Sequence, residues 1–219
     1  MSSSSILLSA VTITRNNTEG LARTIKSFEA LRAIGAEHII VDGSDESCSG
    51  ENFTLSAQFG VRYLYRKPAG ISDAFNFGLS EAQGKWIWFI NSGDAVHERL
   101  EPAWLLHLLS ISAAGVTTGG IQFDGELQVR FAPKLSDRWP LLSCWLPHPA
   151  TLVQRDLLIA VGGFDSGYTI AMDYDLWFRL LHRGVSVDVL SIPLARFELG
   201  GISNQEHTHL RLLREESRI

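Results

Sequence analysis

Two cysteines, Cys48 and Cys144, are all that 219 residues contain. They make neither a disulfide framework nor a metal-ligand spacing, so reduced thiols in a cytoplasmic setting are expected. No apolar run approaches the roughly 18–20 residues of a membrane-spanning helix. The opening Met1-Ser2-Ser3-Ser4-Ser5 lacks the charged start of a signal peptide. Basic residues are outnumbered, 19 Lys and Arg against 24 Asp and Glu, and form no patch, so nucleic acid is not an expected partner. Peripheral attachment at the inner face of a membrane and assembly into an oligomer stay open. Gly-rich phosphate loops are missing too: neither G-x-G-x-x-G nor G-x-x-x-x-G-K-[ST] occurs. G-x-S-x-G and H-E-x-x-H are absent as well. A nucleotide bound here would have to be held by strand-tip side chains, loop amides and a metal.

What is present is a core. Hydrophobic residues make up 45% of the chain and aromatics 10%, which rules out general disorder. The run Trp86-Ile87-Trp88-Phe89-Ile90 is too short for a membrane and too apolar for water, as in a parallel strand buried on both faces. It ends in Asn91-Ser92-Gly93-Asp94. The preceding residues predict a helix with Ser72 as N-cap, Asp73 in its first turn and Gly84 as its stop. Upstream, residues 6–13 predict a first strand ending in Thr14-Arg15-Asn16-Asn17, and residues 18–33 a helix. Residues 38–41 predict a second strand ending in Asp42, and residues 61–65 a third. Strand–helix alternation at this pace implies right-handed crossovers and a mostly parallel sheet. Ligands bind at the carboxyl ends of such strands, where Thr14, Arg15, Asp42 and Asp94 fall together.

After Asp94 the texture changes. Residues 98–112 predict a helix with Trp104, Leu105, Leu108 and Leu109 buried. Residues 117–123 and 127–131 flank Asp124-Gly125-Glu126 and predict a hairpin, an antiparallel addition to the sheet. A loop rich in Trp and Pro follows, whose residues 139–145 could stack on a sugar. Then come a strand at 150–153, helices at 156–161 and 173–182, a strand at 185–190 and a terminal helix at 205–214. No linker separates two full domains.

Several acids compete for roles. Asp94 can ligate a hard cation or merely cap its turn; Asp42 can accept hydrogen bonds from a base or ribose or close an Asx-turn. Asp173 shares a helix face with Leu176, Trp177 and Leu180 and is expected to point inward, whereas Asp175 aligns with Arg179 as a surface pair. An ionised carboxylate at a helix start suits a general base, although an ordinary N-terminal acid has the same pattern. His148, His207 and His209 are more often packing or surface residues than ligands; His207 could complete a metal shell. Arg66 and Lys85 read most simply as solvated charges.

The segments VTITRNNTEGLARTIKSF, HIIVDGSDES, GISDAFNFGLSEAQGKWIWFINSGD and HPATLVQRDLLIAVGGFDSGYTIAMDYDLWFRLLHRG together resemble a family 2 glycosyltransferase of the small bacterial type that builds surface polysaccharides. The resemblance covers residues 6–94 and 148–184 in the right order. It implies an α/β GT-A fold: a Rossmann-like, mostly parallel central sheet flanked by helices, with a smaller antiparallel addition. A single domain over 1–219 is implied, with a nucleotide-sugar half (1–94) and an acceptor half (95–219). Thr14, Arg15, Asp42 and Asp73 would surround the nucleotide of a UDP- or GDP-type sugar donor, beside Ser92 and Gly93. Asp94 matches the last acid of the D-x-D element and would hold Mg²⁺ or Mn²⁺. Asp173 matches the catalytic base of the E-D motif in inverting members. The acceptor would be a saccharide or a lipid-linked one.

Two departures matter. Gly93 stands where many members carry Asp, leaving one carboxylate for the metal, and Met172 stands where many carry Glu. Residues 200–203 read as a mobile lid in that scheme. A sugar nucleotidyltransferase would need a Gly-rich basic loop after strand one, which Thr14-Arg15-Asn16-Asn17 is not. A non-catalytic sugar-nucleotide-binding or scaffold protein of the same fold is the remaining alternative.

Overall fold

The computed structural model describes residues 6–132, 146–199 and 214–218. Its first half follows the alternation expected. Strands β1 (Leu8–Thr14), β2 (Glu37–Asp42), β3 (Arg62–Tyr65) and β4 (Trp86–Asn91) are all parallel, with β1 between β2 and β4. The single helix expected over 18–33 is two, α1 (Thr18–Ser27) and α2 (Glu29–Ala33). They meet at Phe28, whose ring turns inward against His38 and Trp88, at centroid distances of 4.7 and 5.2 Å.

Helix α3 (Glu46–Gln58) went unread because it has almost no apolar stripe; Asp45 starts it by accepting from the Cys48 amide at 3.2 Å. Helix α4 (Ile71–Glu81) is capped by Gly70 and not by Ser72, a correction with a clear cause. Ser72 lies within the helix, and its hydroxyl faces outward to Asp165 O and Tyr168 O and lies 3.2 Å from the Met172 sulfur. Gly84 lies beyond the helix end, where a Cβ would come within 2.5 Å of the Ser9 nitrogen, so close approach to β1 is what needs glycine there.

The second half comprises β5 (Ala95–Val96), α5 (Pro102–Ile111), β6 (Val116–Phe123), β7 (Val129–Arg130), β8 (Thr151–Gln154), α6 (Arg155–Ala160), α7 (Met172–His182) and β9 (Val187–Phe197). The sheet runs β3-β2-β1-β4-β8-β6-β9-β5, with β7 on β6 as the expected hairpin. β8 is antiparallel to both β4 and β6, but β9 pairs parallel with β6, so the added part is not purely antiparallel. Trp104, expected inside, is 39% exposed, and Leu105 and Leu109 alone anchor α5 fully. The expected terminal helix at 205–214 falls almost entirely outside the described residues.

Strand β4 organises both layers. Ile87 and Phe89 face the core under α4 and α7, and Trp86, Trp88 and Ile90 face the core under α2 and α5, as period-two alternation requires. Each indole finds an acceptor: Trp86 Nε1 donates to Leu109 O (3.0 Å) and Trp88 Nε1 to Pro149 O (2.7 Å). No helix among the described residues is long and apolar enough to cross a membrane.

His38 gives this core a pH dependence. Arg32 is only a donor and lies 3.3 Å from Nδ1, so Nδ1 accepts and the proton sits on Nε2, 2.9 Å from Thr12 Oγ1. Burial, and then the Arg32 charge, push the imidazole down to about 3. Between that value and the ordinary value near 6.5, the unfolded chain holds a proton that the folded chain does not. Stability from this group is therefore complete above pH 6.5 and lost as pH falls, by about 1.4 kcal/mol per pH unit. Urea unfolding between pH 6.5 and 4.5 is expected to show a slope shallower by about one proton in His38→Gln than in the wild type.

Candidate active site

The carboxyl ends of β1, β2 and β4 lie side by side. Thr14 pairs with Asp42 and Ile13 with Asn91 in the ladder. The loops beyond are tied together: the Ser92 amide donates to Ile13 O (2.9 Å), Asn17 Nδ2 to Ser92 O (3.3 Å) and the Asn16 amide to Ser44 Oγ (2.7 Å). Thr14, Ser92, Gly93 and Asp94 are thus brought to one edge with Asp42. Thr14 Oγ1 is buried and has no hydrogen-bond partner among the described residues. Arg15 is exposed.

Asp42 is fully buried. Its Oδ1 accepts from the Ser44 amide (2.7 Å), which closes an Asx-turn, and its Oδ2 accepts from Asn52 Nδ2 and Tyr63 OH, both at 2.9 Å. Burial and that hydrogen bond raise the Tyr63 phenol above its usual range. The same carboxylate therefore sets the shape of the loop that follows β2. Asn52 lies on the helix that sequence reasoning missed, so no signal pointed to it.

Asp73, in the first turn of α4, is gripped by Arg66, with Nε and Nη2 at 2.9 and 2.8 Å from its two oxygens. Arg66 also stacks over Phe77, 4.7 Å from the ring centroid. The charge read as solvated is the partner of a predicted site residue, and it holds the Asp73 carboxyl below its ordinary value.

Asp94 is 3% exposed. Its Oδ1 accepts from the Glu198 amide (3.0 Å) and its Oδ2 lies 3.5 Å from Asn91 Nδ2. Burial raises its carboxyl to about 7 against those hydrogen bonds. Gly93 has φ +107°, and the Glu198 carboxylate occupies the space that a side chain there would take. Arg23 pairs with Glu198 over this corner. The space beside Gly93 is thus filled by an acid that follows β9, more than a hundred residues along the chain. Nothing in the sequence pattern announces that contact.

The donor set here is oxygen only: a buried carboxylate that ionises poorly without a cation, and a second one beside it. Such a corner fits Mg²⁺ or Mn²⁺, which take one or two carboxylates and draw other oxygens from phosphate and water. Among the described residues no group of three or more His, Cys, Asp or Glu forms a protein-only cage. His207, the other expected ligand, lies outside the described residues, as do His209, Cys144 and the segments 139–145 and 200–203.

Asp173 sits in the first turn of α7, half-buried, its Oδ1 accepting from the Tyr174 amide at 2.8 Å. The inward stripe of Leu176, Trp177 and Leu180 is as expected. Asp175 is a correction: it is 7% exposed, not a surface residue, and Arg179 clamps it with Nε at 2.8 Å and Nη2 at 2.6 Å. Arg179 also donates to Val161 O and Gly163 O, so this pair ties α7 to the end of α6. Through Met172 and Ser72, the start of α7 touches the start of α4.

His148 is buried against Phe75, Phe89, Phe164 and Trp177, at ring distances of 5.2 to 6.3 Å. Among the described residues neither ring nitrogen has a partner, and burial lowers its pKa to about 4, so it is neutral near pH 7.

A sequence model of glycosyl transferase family 2 matches residues 9–172, three quarters of the chain. The chain belongs to that family. It is 31% identical over 181 residues to an uncharacterized glycosyltransferase of Mycobacterium tuberculosis, covering 78% of this chain and 68% of the relative. An uncharacterized glycosyltransferase of Rickettsia bellii is 24% identical over 194 residues, covering 81% of this chain and 26% of the relative. The fold resembles that of S. aureus TarS, with a TM-score of 0.71 and 16% identity over 89% of this chain. It also resembles TarS 1-349 in complex with UDP-GlcNAc, with a TM-score of 0.70 over 90% of this chain. The chain spans 37% of the full TarS chain and 59% of the shorter one. The mixed sheet with a parallel first half is the GT-A fold expected of a family 2 glycosyltransferase.

Proposed function

We propose that this protein transfers a sugar from a nucleoside-diphosphate donor to an acceptor hydroxyl with inversion, Asp173 acting as base. The observation that carries the reading is the single sheet edge that gathers Thr14 and Asp42, at the ends of β1 and β2, with Asp94, just past the end of β4. The TarS complex with UDP-GlcNAc supports the choice of donor class. UDP and GDP donors are both consistent with the site.

Arg15 faces the nucleotide beside Thr14, and Asp42 and Asp73, through Asn52, Tyr63 and Arg66, hold the loops that enclose it. Asp94, with the Glu198 carboxylate beside it, would hold Mg²⁺ or Mn²⁺. The cation, when bound, neutralises charge that builds on the departing diphosphate. Asp173 takes the proton from the acceptor hydroxyl as its oxygen bonds to the anomeric carbon. The bond from that carbon to the diphosphate oxygen breaks on the opposite face, and the nucleoside diphosphate leaves with the electron pair. A single displacement of this kind needs one base and no protein nucleophile. Surface polysaccharide synthesis, with a saccharide or lipid-linked acceptor, is the setting this chemistry fits.

The test is titration calorimetry of UDP and GDP against the protein, with Mn²⁺ and with EDTA. One nucleotide is expected to bind with Mn²⁺ at least ~10-fold more tightly than without it, consistent with a metal-bridged diphosphate.

A further inference from the structure

Helix α7, which carries Asp173, has no cap of its own. Its N-cap residue is Ala171, which offers no side-chain acceptor to the free amides of the first turn. The acceptor comes from the other end of the chain. Glu215, only 5% exposed, accepts from the amides of Ile170 (2.9 Å) and Ala171 (3.0 Å) with Oε2. Its Oε1 accepts from Thr169 Oγ1 (2.7 Å), and both oxygens lie within 3.2 Å of the Thr169 amide. Three consecutive amides and a hydroxyl thus converge on one carboxylate. A second contact is independent of it: Arg218 lies over the Tyr168 ring, 5.2 Å from its centroid. Burial alone would raise the Glu215 carboxyl, but the amides and hydroxyl outweigh it and hold it near 2.

We propose that Glu215 is a positioning residue for the transfer reaction, fixing the turn from which the Asp173 helix starts and docking the C-terminal segment beside the base. This rests on Asp173 being that base. One consequence follows: the turn 169–171 is rigid only while Glu215 is in place, because its three amides share that one carboxylate. Of the other charges near this turn, Asp175 is held by Arg179 and Asp73 by Arg66, Arg218 lies over the Tyr168 ring and Asp165 accepts from the Gly167 amide, while Arg214 and Glu216 flank Glu215 in its own segment. His148, packed on Trp177, is neutral.

The experiment compares the full-length wild type with Glu215→Ala and Glu215→Gln by amide hydrogen exchange and by nucleoside-diphosphate release. In Glu215→Ala, exchange at residues 169–171 is expected to accelerate ~10-fold or more, as local opening becomes easier. Turnover should fall ~10-fold with donor KM within about twofold, the mark of a misplaced group. Glu215→Gln keeps the shape and loses the charge, so exchange should rise less. Exchange in Glu215→Ala equal to wild type, or turnover in Glu215→Ala undiminished, overturns the proposal. Full turnover in Asp173→Asn would instead defeat the base assignment, while the exchange measurement would still report on Glu215.

Discussion

Replacing Asp173 by Asn is expected to lower turnover ~10²- to 10⁴-fold, the range for losing a general base. Donor affinity should stay within about threefold, because the amide keeps the size of the carboxylate and can still accept from the Tyr174 N–H. The acid is placed for this by its surroundings. It is half-buried at a helix start, over the stripe of Leu176, Trp177 and Leu180 that locks α7 to the core. Nucleoside-diphosphate release gives the rate, and calorimetry with the nucleotide gives the affinity. Loss of both together would mean that Asp173 binds donor, and loss of neither would remove it from the site.

Asp42→Ala is expected to destabilise the fold by about 3 kcal/mol, a charged acceptor with three donors being removed from a fully buried position. The estimate lies below the sum of three such bonds because two donors keep other partners: Asn52 Nδ2 has Ser44 Oγ at 3.2 Å and Tyr63 OH has Ser49 O at 3.2 Å. The Ser44 amide, which points back into the Asx-turn, has no such substitute among the described residues. Asp42→Asn should cost about 1 kcal/mol only, because Asn52 Oδ1 is unpartnered and, after an amide flip, can accept from the new side chain. Urea unfolding of the two variants checks this. Equal costs for Ala and Asn would show that the network around Asp42 is not what holds the β2 loop.

The parallel half of the sheet was legible because its signals are local. Trp86 to Ile90 can only be buried, and Asp42 ends β2 in space as in the sequence, while Asp94 follows the end of β4 at Asn91. Helix α3 was not legible, since its few apolar residues do not form a stripe and its start depends on Asp45 alone. The two faces of α7 were assigned from spacing, which misjudged Asp175: Arg179 neutralises it, so it can be buried where an unpaired acid could not. Arg66 was read as free for want of its partner seven residues on, which only the α4 entry angle brings within reach. Glu198 and Glu215 were invisible for a plainer reason. Each acts on a part of the chain 44 or more residues away, and no periodicity links them to Gly93 or Ala171. Family resemblance located Asp94 and Asp173; it said nothing of the two glutamates that surround them.

The direct test is the calorimetric titration of UDP and GDP, run in parallel on wild type and Asp94→Asn with Mn²⁺ and with EDTA. A cation held at the tip of β4 requires that one nucleotide bind wild type more tightly with Mn²⁺, and that the Mn²⁺ advantage fall to within about twofold in Asp94→Asn. The same affinity in EDTA as in Mn²⁺ for the wild type, or an undiminished Mn²⁺ advantage in the variant, would contradict it.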